Sequence, residues 1–259
     1  MANIMAGDNT PMNLGRRYIR LPYWGTEGHK TLGNFYTSIL NANGKHFSSG
    51  HDISPEVRSY DPWKSMFDDV SENGLMGMYK WETKHFLGYS RKWRDIQKPT
   101  IAAVQGACIA GGLMLVWPMD LIIAADNARF SDPVAVMAIG GVEYHGHTWE
   151  LGARKAKEML FTAEFVSAEE AHRIGFVHEL VDADALDAKV GELAQALVSA
   201  SPAAVRACKR LVQDVAERTI DDALIAATVE GIADIRASEE GREGVASFLQ
   251  KRKPAWLAG

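Results

Sequence analysis

Gly111 and Gly112 follow a short apolar run rich in β-branched residues, Thr100–Val104, and open an apolar segment over residues 113–119. A strand, a glycine turn and the start of a buried helix present backbone N–H groups that have no earlier helical carbonyl to reach. The peptide dipoles there favour negative charge. Glycine lets a ligand approach that backbone closely. The chemistry on offer is anion stabilisation: a phosphate, a carboxylate, or an oxyanion that develops during a reaction.

The elements that hold this turn are legible around it. Residues 100–104 read as a buried strand, 113–119 as a short buried helix that Pro118 helps to end, and 120–125 as a second strand. Upstream, residues 1–12 read as a loose tail and 16–23 as a strand. Asn41, Ala42, Asn43 and Gly44 signal a turn. Residues 75–93 carry one or two amphipathic helices. Downstream, 149–161 reads as a helix that Gly152 interrupts. Ser167 begins a capping box, Gly175 ends the helix that follows, and 176–181 reads as a strand. Ser201-Pro202 is a helix start, and helices follow over 202–217, 220–237 and 239–251. Strand-helix alternation with a helical end is an α/β pattern with a helical appendage.

Composition bounds the function. The chain has 259 residues, 47% hydrophobic and 24% charged, an ordinary globular composition. A net charge of −5 argues against a nucleic-acid footprint. Two distant cysteines, Cys108 and Cys208, fit free thiols in a reducing compartment. No apolar run reaches membrane-spanning length, and the expected location is the cytoplasm.

Two segments together carry a resemblance. Residues 47–53 read Phe-Ser-Ser-Gly-His-Asp-Ile, and residues 106–112 read Gly-Ala-Cys-Ile-Ala-Gly-Gly. With Asp120 to Asp126, Ala128-Arg129-Phe130, the stretch from Lys157 to Thr162, that from Ser167 to Ala171, and the terminal stretch from Glu243 to Lys253, they resemble the enoyl-CoA hydratase/isomerase (crotonase) superfamily over roughly residues 41–254. The resemblance implies an α/β fold: a crotonase-like ββα superhelix spiral core with a helical C-terminal trimerisation region. It divides the chain into a divergent or truncated N-terminal segment (1–40), the spiral core (41–195) and the C-terminal helical region (196–259). It also implies an acyl-CoA thioester as substrate, with the backbone N–H groups of His51 and Gly111 forming the oxyanion hole. The His51 imidazole is expected to be incidental, and Asp52 to cap a following helix. Ser49, Gly50 and Gly112 would contact the substrate. Phe248 and Lys251 would reach the CoA of a neighbouring subunit in a homotrimer or dimer of trimers. Coenzyme A arrives with the substrate, so no separate cofactor and no metal is expected.

The chain departs from the family where the chemistry is done. Hydratases of this family carry two glutamates, one shortly after the Gly-Gly and one just after the proline behind the Ala-x-Phe strand. Here those positions are Met114 and Val134, which cannot transfer a proton. They are expected to line the acyl pocket with Trp81. Other aromatic and methionine residues nearby, Trp63, Met66, Phe67, Met76, Met78, Tyr79 and Phe86, lie where the family lines its acyl tunnel. A substitute acid or base is sought in the loop after Gly140-Gly141, where Glu143, His145 and His147 are the candidates; Asp132 is a further candidate outside that loop and is read first as the end of a strand. A carboxyl against aromatic rings is pushed towards neutrality. One base suits isomerisation or another proton transfer better than hydration. The other readings are an acyl-CoA-binding protein without catalysis, and a family member impaired by its altered N-terminus, where no counterpart of the family's first Asn-Arg-Pro segment is legible.

Overall fold

A computed structural model describes residues 2–3, 19–21, 37–51, 72–137, 143–217 and 238–257. Its strands, in chain order, are β1 (Ala2–Asn3), β2 (Ile19–Leu21), β3 (Ser38–Ala42), β4 (Thr100–Val104), β5 (Ala107–Ile109), β6 (Leu121–Ala125), β7 (Arg129–Ser131), β8 (Val166–Ser167) and β9 (Glu179–Val181). They form a six-stranded sheet in the order β1-β2-β3-β4-β6-β9 and a three-stranded sheet in the order β5-β7-β8.

β4 is buried at all five positions and pairs in parallel with β6, Ile101 opposite Leu121 through Val104 opposite Ala124. Continuous apolar runs without alternation are what a parallel strand covered on both faces requires. β9 continues the parallel set beside β6. β5 and β7 are also parallel, with Ile109 opposite Ser131. Two neighbouring strands of the large sheet are each followed at once by one of the small sheet, β4 by β5 and β6 by β7. A helix then returns the chain. This ββα repeat is the one that the resemblance implies.

The turn between β4 and β5 depends on Gly106, whose φ is +58°. Its N–H donates to Asn127 Oδ1 at 3.0 Å and its carbonyl accepts from the Arg129 N–H at 2.9 Å, so it ties the two ββ turns together. A β-carbon there would run into the Lys45 carbonyl and lie 2.6 Å from His46 Nδ1. Gly106→Ala is therefore expected to cost about 3 kcal/mol from left-handed strain plus overpacking. The readout is a fall in Tm of about 10 °C. An unchanged melting curve would contradict this account of the turn.

Helix α1 (Leu75–Glu82) runs through a π-turn, Thr83–Leu87, into α2 (Gly88–Arg94). The expected helix at 113–119 is shorter: a 3-10 turn over Ala110–Gly112 leads into α3 (Leu113–Val116), which stops before Pro118. Helix α4 (His147–Thr162) begins earlier than expected, and Gly152, at φ 71° and ψ 155°, breaks its regularity. α5 (Ala168–Arg173) has the expected cap, Ser167 Oγ accepting the Glu170 N–H at 3.2 Å. The expected strand over 176–181 pairs only from Glu179. Phe176 and Val177 are spent on the core, and the Val177 N–H closes back onto the Ala171 carbonyl. The segment 16–23 yields β2. The expected helix over 220–237 lies outside the described residues.

The chain divides into two compact units. The first holds nearly all of both sheets, α1 to α5 and the buried cluster of Leu40, Phe47, Val104, Leu113, Met114, Phe130 and Met159. After α6 (Leu186–Val198), the second holds α7 (Pro202–Glu217) and α8 (Glu239–Leu249). There Glu240 accepts from Ser201 Oγ at 2.6 Å and from the Ala203 N–H, so it caps α7 from α8. No helix among the described residues is long and apolar enough to cross a membrane.

Candidate active site

Residues 47–50 run alongside β5. The Phe47 N–H donates to the Gln105 carbonyl, the Ser48 N–H to that of Ala107, and the Ile109 N–H to that of Ser48. This ladder delivers His51 to the turn Ala110–Gly112. At Gly50 the chain turns with φ +95°, and its N–H donates to Ser48 Oγ at 3.1 Å. A β-carbon on Gly50 would stand 3.8 Å from the Gly111 nitrogen, so the two expected donor segments meet. Gly112 permits this approach: a β-carbon on it would be 2.7 Å from Ser48 Cβ and 3.1 Å from Cys108 Sγ. Ala110 holds φ +48°, a strained conformation for a residue with a β-carbon, of the kind that persists at functional sites when the surroundings impose it.

The His51 imidazole has a defined place in the packing. It lies against the bare face of Gly111, where a β-carbon would be 2.9 Å from its Cε1 and Nδ1. Its other side faces Phe86, ring centroids 4.6 Å apart. Burial pulls its pKa down, with the Asp132 charge opposing. Phe86 in turn meets Trp81 edge-on at 5.2 Å. The π-turn places Phe86 there, and Ser90 Oγ anchors α2 by donating to the Met114 carbonyl at 3.0 Å. Of the expected acyl-pocket residues, Trp81, Met114 and Val134 are buried, whereas Met76 and Tyr79 are exposed. Trp63, Met66, Phe67 and Asp52 lie outside the described residues, as do Gly140, Gly141 and the Met78 side chain.

Asp132 follows the last residue of β7, as expected of a strand end, and it is 1% exposed and accepts from His147 Nε2 at 2.9 Å. Because β5 and β7 pair in parallel with Ile109 opposite Ser131, the next residues, Ala110 and Asp132, leave their strands at the same edge. His147, fully buried at the start of α4, packs edge-on against Trp117 at 4.3 Å. The His145 ring lies 4.8 Å from it and is exposed. His145 is shifted down by partial burial and by the neighbouring His147.

Glu143 is half-buried. Desolvation raises its pKa first, and the charges of Glu82 and Asp132 raise it further. Glu82 on α1, itself raised by burial, was not among the expected site residues. On α4, burial lifts Glu150 to about 7 from its ordinary 4.5. The folded state keeps a proton here that the unfolded chain releases. The penalty is therefore absent below about pH 4.5 and fully present above about pH 7. Glu150→Gln is expected to stabilise the protein by about 2 kcal/mol at pH 8 and by nothing measurable at pH 4.5. Denaturant melts at the two pH values check it, and a gain equal at both would refute the assignment.

Phe248 and Lys251, the expected CoA contacts, belong to the second unit, at the end of α8, where both are exposed. Ser49 is exposed beside the buried Gly50 in the first unit.

The comparisons agree on one family. The model of the enoyl-CoA hydratase/isomerase family matches residues 33–258. EchA13 of Mycobacterium tuberculosis, which carries the name of an enoyl-CoA hydratase, is 33% identical over 201 residues, covering 74% of this chain and 62% of its own. The chain thus spans less than two thirds of that relative. A solved structure from Mycobacterium smegmatis, named as an enoyl-CoA hydratase, is 43% identical at a TM-score of 0.62, covering 84% of this chain and 80% of its own. A Legionella pneumophila structure named as an enoyl-CoA hydratase/isomerase (crotonase) is 31% identical at a TM-score of 0.68, with 85% and 81% covered.

Proposed function

Because this chain belongs to the enoyl-CoA hydratase/isomerase family, we propose that it is an enzyme that binds an acyl-CoA thioester and stabilises the enolate formed from it. The N–H groups of His51 and Gly111 hold the thioester oxygen, each worth about 3 kcal/mol to the transition state. Ser49, Gly50 and Gly112 shape the backbone around it. Trp81, Met114 and Val134 form apolar wall for the acyl chain. The proton-transfer groups come from Glu143, His145 and His147. Phe248 and Lys251 contact CoA across a subunit boundary in a homotrimer or dimer of trimers, and the reaction is placed in the cytoplasm. CoA is part of the substrate, and no separate cofactor is required.

The observation that carries this reading is the meeting of Gly50 and His51 with the Ala110–Gly112 turn. The buried, apolar Met114 and Val134 weigh against hydration by the family's glutamate pair and favour isomerisation or another proton transfer. The same two residues also support a second reading, a binding protein without turnover.

Calorimetry with butyryl-CoA and free CoA, together with mass spectrometry of butyryl-CoA incubated with the protein in D2O, tests both. Binding with deuterium entering the α-carbon supports the enzyme. Binding without exchange, and without turnover of a panel of enoyl-CoAs, supports the binding protein. Loss of affinity for every acyl-CoA tried would sink both.

A further inference from the structure

Resting on the thioester reading above, we propose that Asp132 and His147 form the dyad that removes and returns the proton at the substrate α-carbon, His147 touching the substrate and Asp132 positioning it.

The geometry is that of an oriented base. Asp132 Oδ2 accepts from His147 Nε2 at 2.9 Å, with side chains 1% and 0% exposed. An ionised Asp132 keeps the proton on Nε2, which leaves Nδ1 of the neutral ring as the proton acceptor. His147 Nδ1 and Asp132 Oδ1 are both buried and without a hydrogen-bond partner among the described residues. A buried pair serving only stability is normally satisfied at both ends, because each unmatched polar atom is costly. Here the unmatched atoms stand at the strand edge that also carries the Gly111 donor, since the parallel β5–β7 register brings Ala110 and Asp132 out together. His51 Nε2, on the ring lying over Gly111, is likewise buried and without a partner among the described residues. The Asp132 charge acts on His51, whose ring lies over Gly111, so the dyad's carboxylate and the glycine-opened turn are neighbours.

The step balances within the substrate and the dyad. The α C–H bond breaks, its proton goes to His147 Nδ1, its electron pair forms the double bond to the thioester carbon, and the carbonyl π pair moves onto the thioester oxygen to give the enolate. The imidazolium is held by the Asp132 carboxylate, which stays ionised. Returning the proton to the same carbon restores the substrate, and doing so in D2O exchanges it. Glu143 is not needed for this exchange and is left to act at another carbon.

Deuterium exchange into butyryl-CoA is the test. For His147→Gln and Asp132→Asn, the exchange rate at saturation is expected to fall by about 100-fold and about 30-fold respectively, with butyryl-CoA affinity within about threefold of the unmodified chain. Glu150→Gln, on the same helix as His147, should leave exchange within about threefold. Exchange at full rate in both dyad variants, or its loss only in Glu143→Gln, overturns the dyad while the thioester reading stands. Butyryl-CoA that binds the unmodified chain without exchanging also overturns the dyad, and failure to bind overturns the parent reading instead.

Should the variants not fold, 2-bromobutyryl-CoA probes the unmodified chain. His147 Nδ1 displaces bromide from the α-carbon, and peptide mass spectrometry finds the adduct. Alkylation at His147 supports the dyad. Alkylation confined to Glu143, His145 or His51, or none with the analogue bound, overturns it.

Discussion

Gly112→Val is expected to slow α-proton exchange by about 100-fold or more and to destabilise the fold by about 3 kcal/mol. The first added carbon would already be 2.7 Å from Ser48 Cβ, 3.0 Å from Ser48 Oγ and 3.1 Å from Cys108 Sγ. Ser48 cannot step aside cheaply, because its N–H and carbonyl are both bonded to β5. If it does move, Gly50 loses the acceptor of its N–H, and His51, the next residue, loses its place beside Gly111. One substitution therefore strikes packing and the proposed donor pair together. Thermal melts separate the two effects, with exchange measured well below Tm. A variant that melts normally and exchanges normally would show that the two segments do not need to touch for function.

Replacing Glu143 with Gln is expected to reduce turnover of a reactive enoyl-CoA by about 100-fold or more. Substrate affinity should stay within about threefold. Burial first, then the charges of Glu82 and Asp132, raise the pKa of this carboxyl, so it holds its proton at higher pH than an ordinary glutamate. The sign for stability follows. A carboxyl raised in the folded state disfavours folding once pH is high enough to ionise it. The neutral amide removes that penalty, so Glu143→Gln should be at least as stable as the unmodified protein at pH 8, and lost turnover cannot be ascribed to unfolding. Turnover that depends on protonated Glu143 should fall as pH rises through its raised pKa, and the variant should lack that limb. Unchanged turnover in the variant would remove Glu143 from the mechanism.

Much of the positioning scaffold was legible because it rests on local rules. The apolar run Thr100–Val104 and Gly111-Gly112 before a helix start read correctly for that reason, as did the Ser167 cap. Errors came where tertiary packing overrode the local signal. Phe176 and Val177 look like strand, but they serve the core ahead of the pairing that starts at Glu179. Tyr79 and Met76 look like pocket lining, yet the helix turns both outwards.

By itself the sequence determined the family, the ββα order and the glycine turn ahead of a helix start. It also determined the absence of glutamates at Met114 and Val134. All of these are properties of contiguous residues or of motifs in fixed order. Only the tertiary structure decided what surrounds the turn. Asp132 and His147, fifteen residues apart, become partners because Asp132 leaves β7 at the edge where α4 begins. The His51 ring finds its place because Gly111 has no side chain to exclude it. Glu82, at the end of α1, helps to raise the pKa of Glu143 in the loop before α4. No local period encodes such meetings. Strand register and the space left by neighbouring side chains set them, and both exist only once the chain has folded.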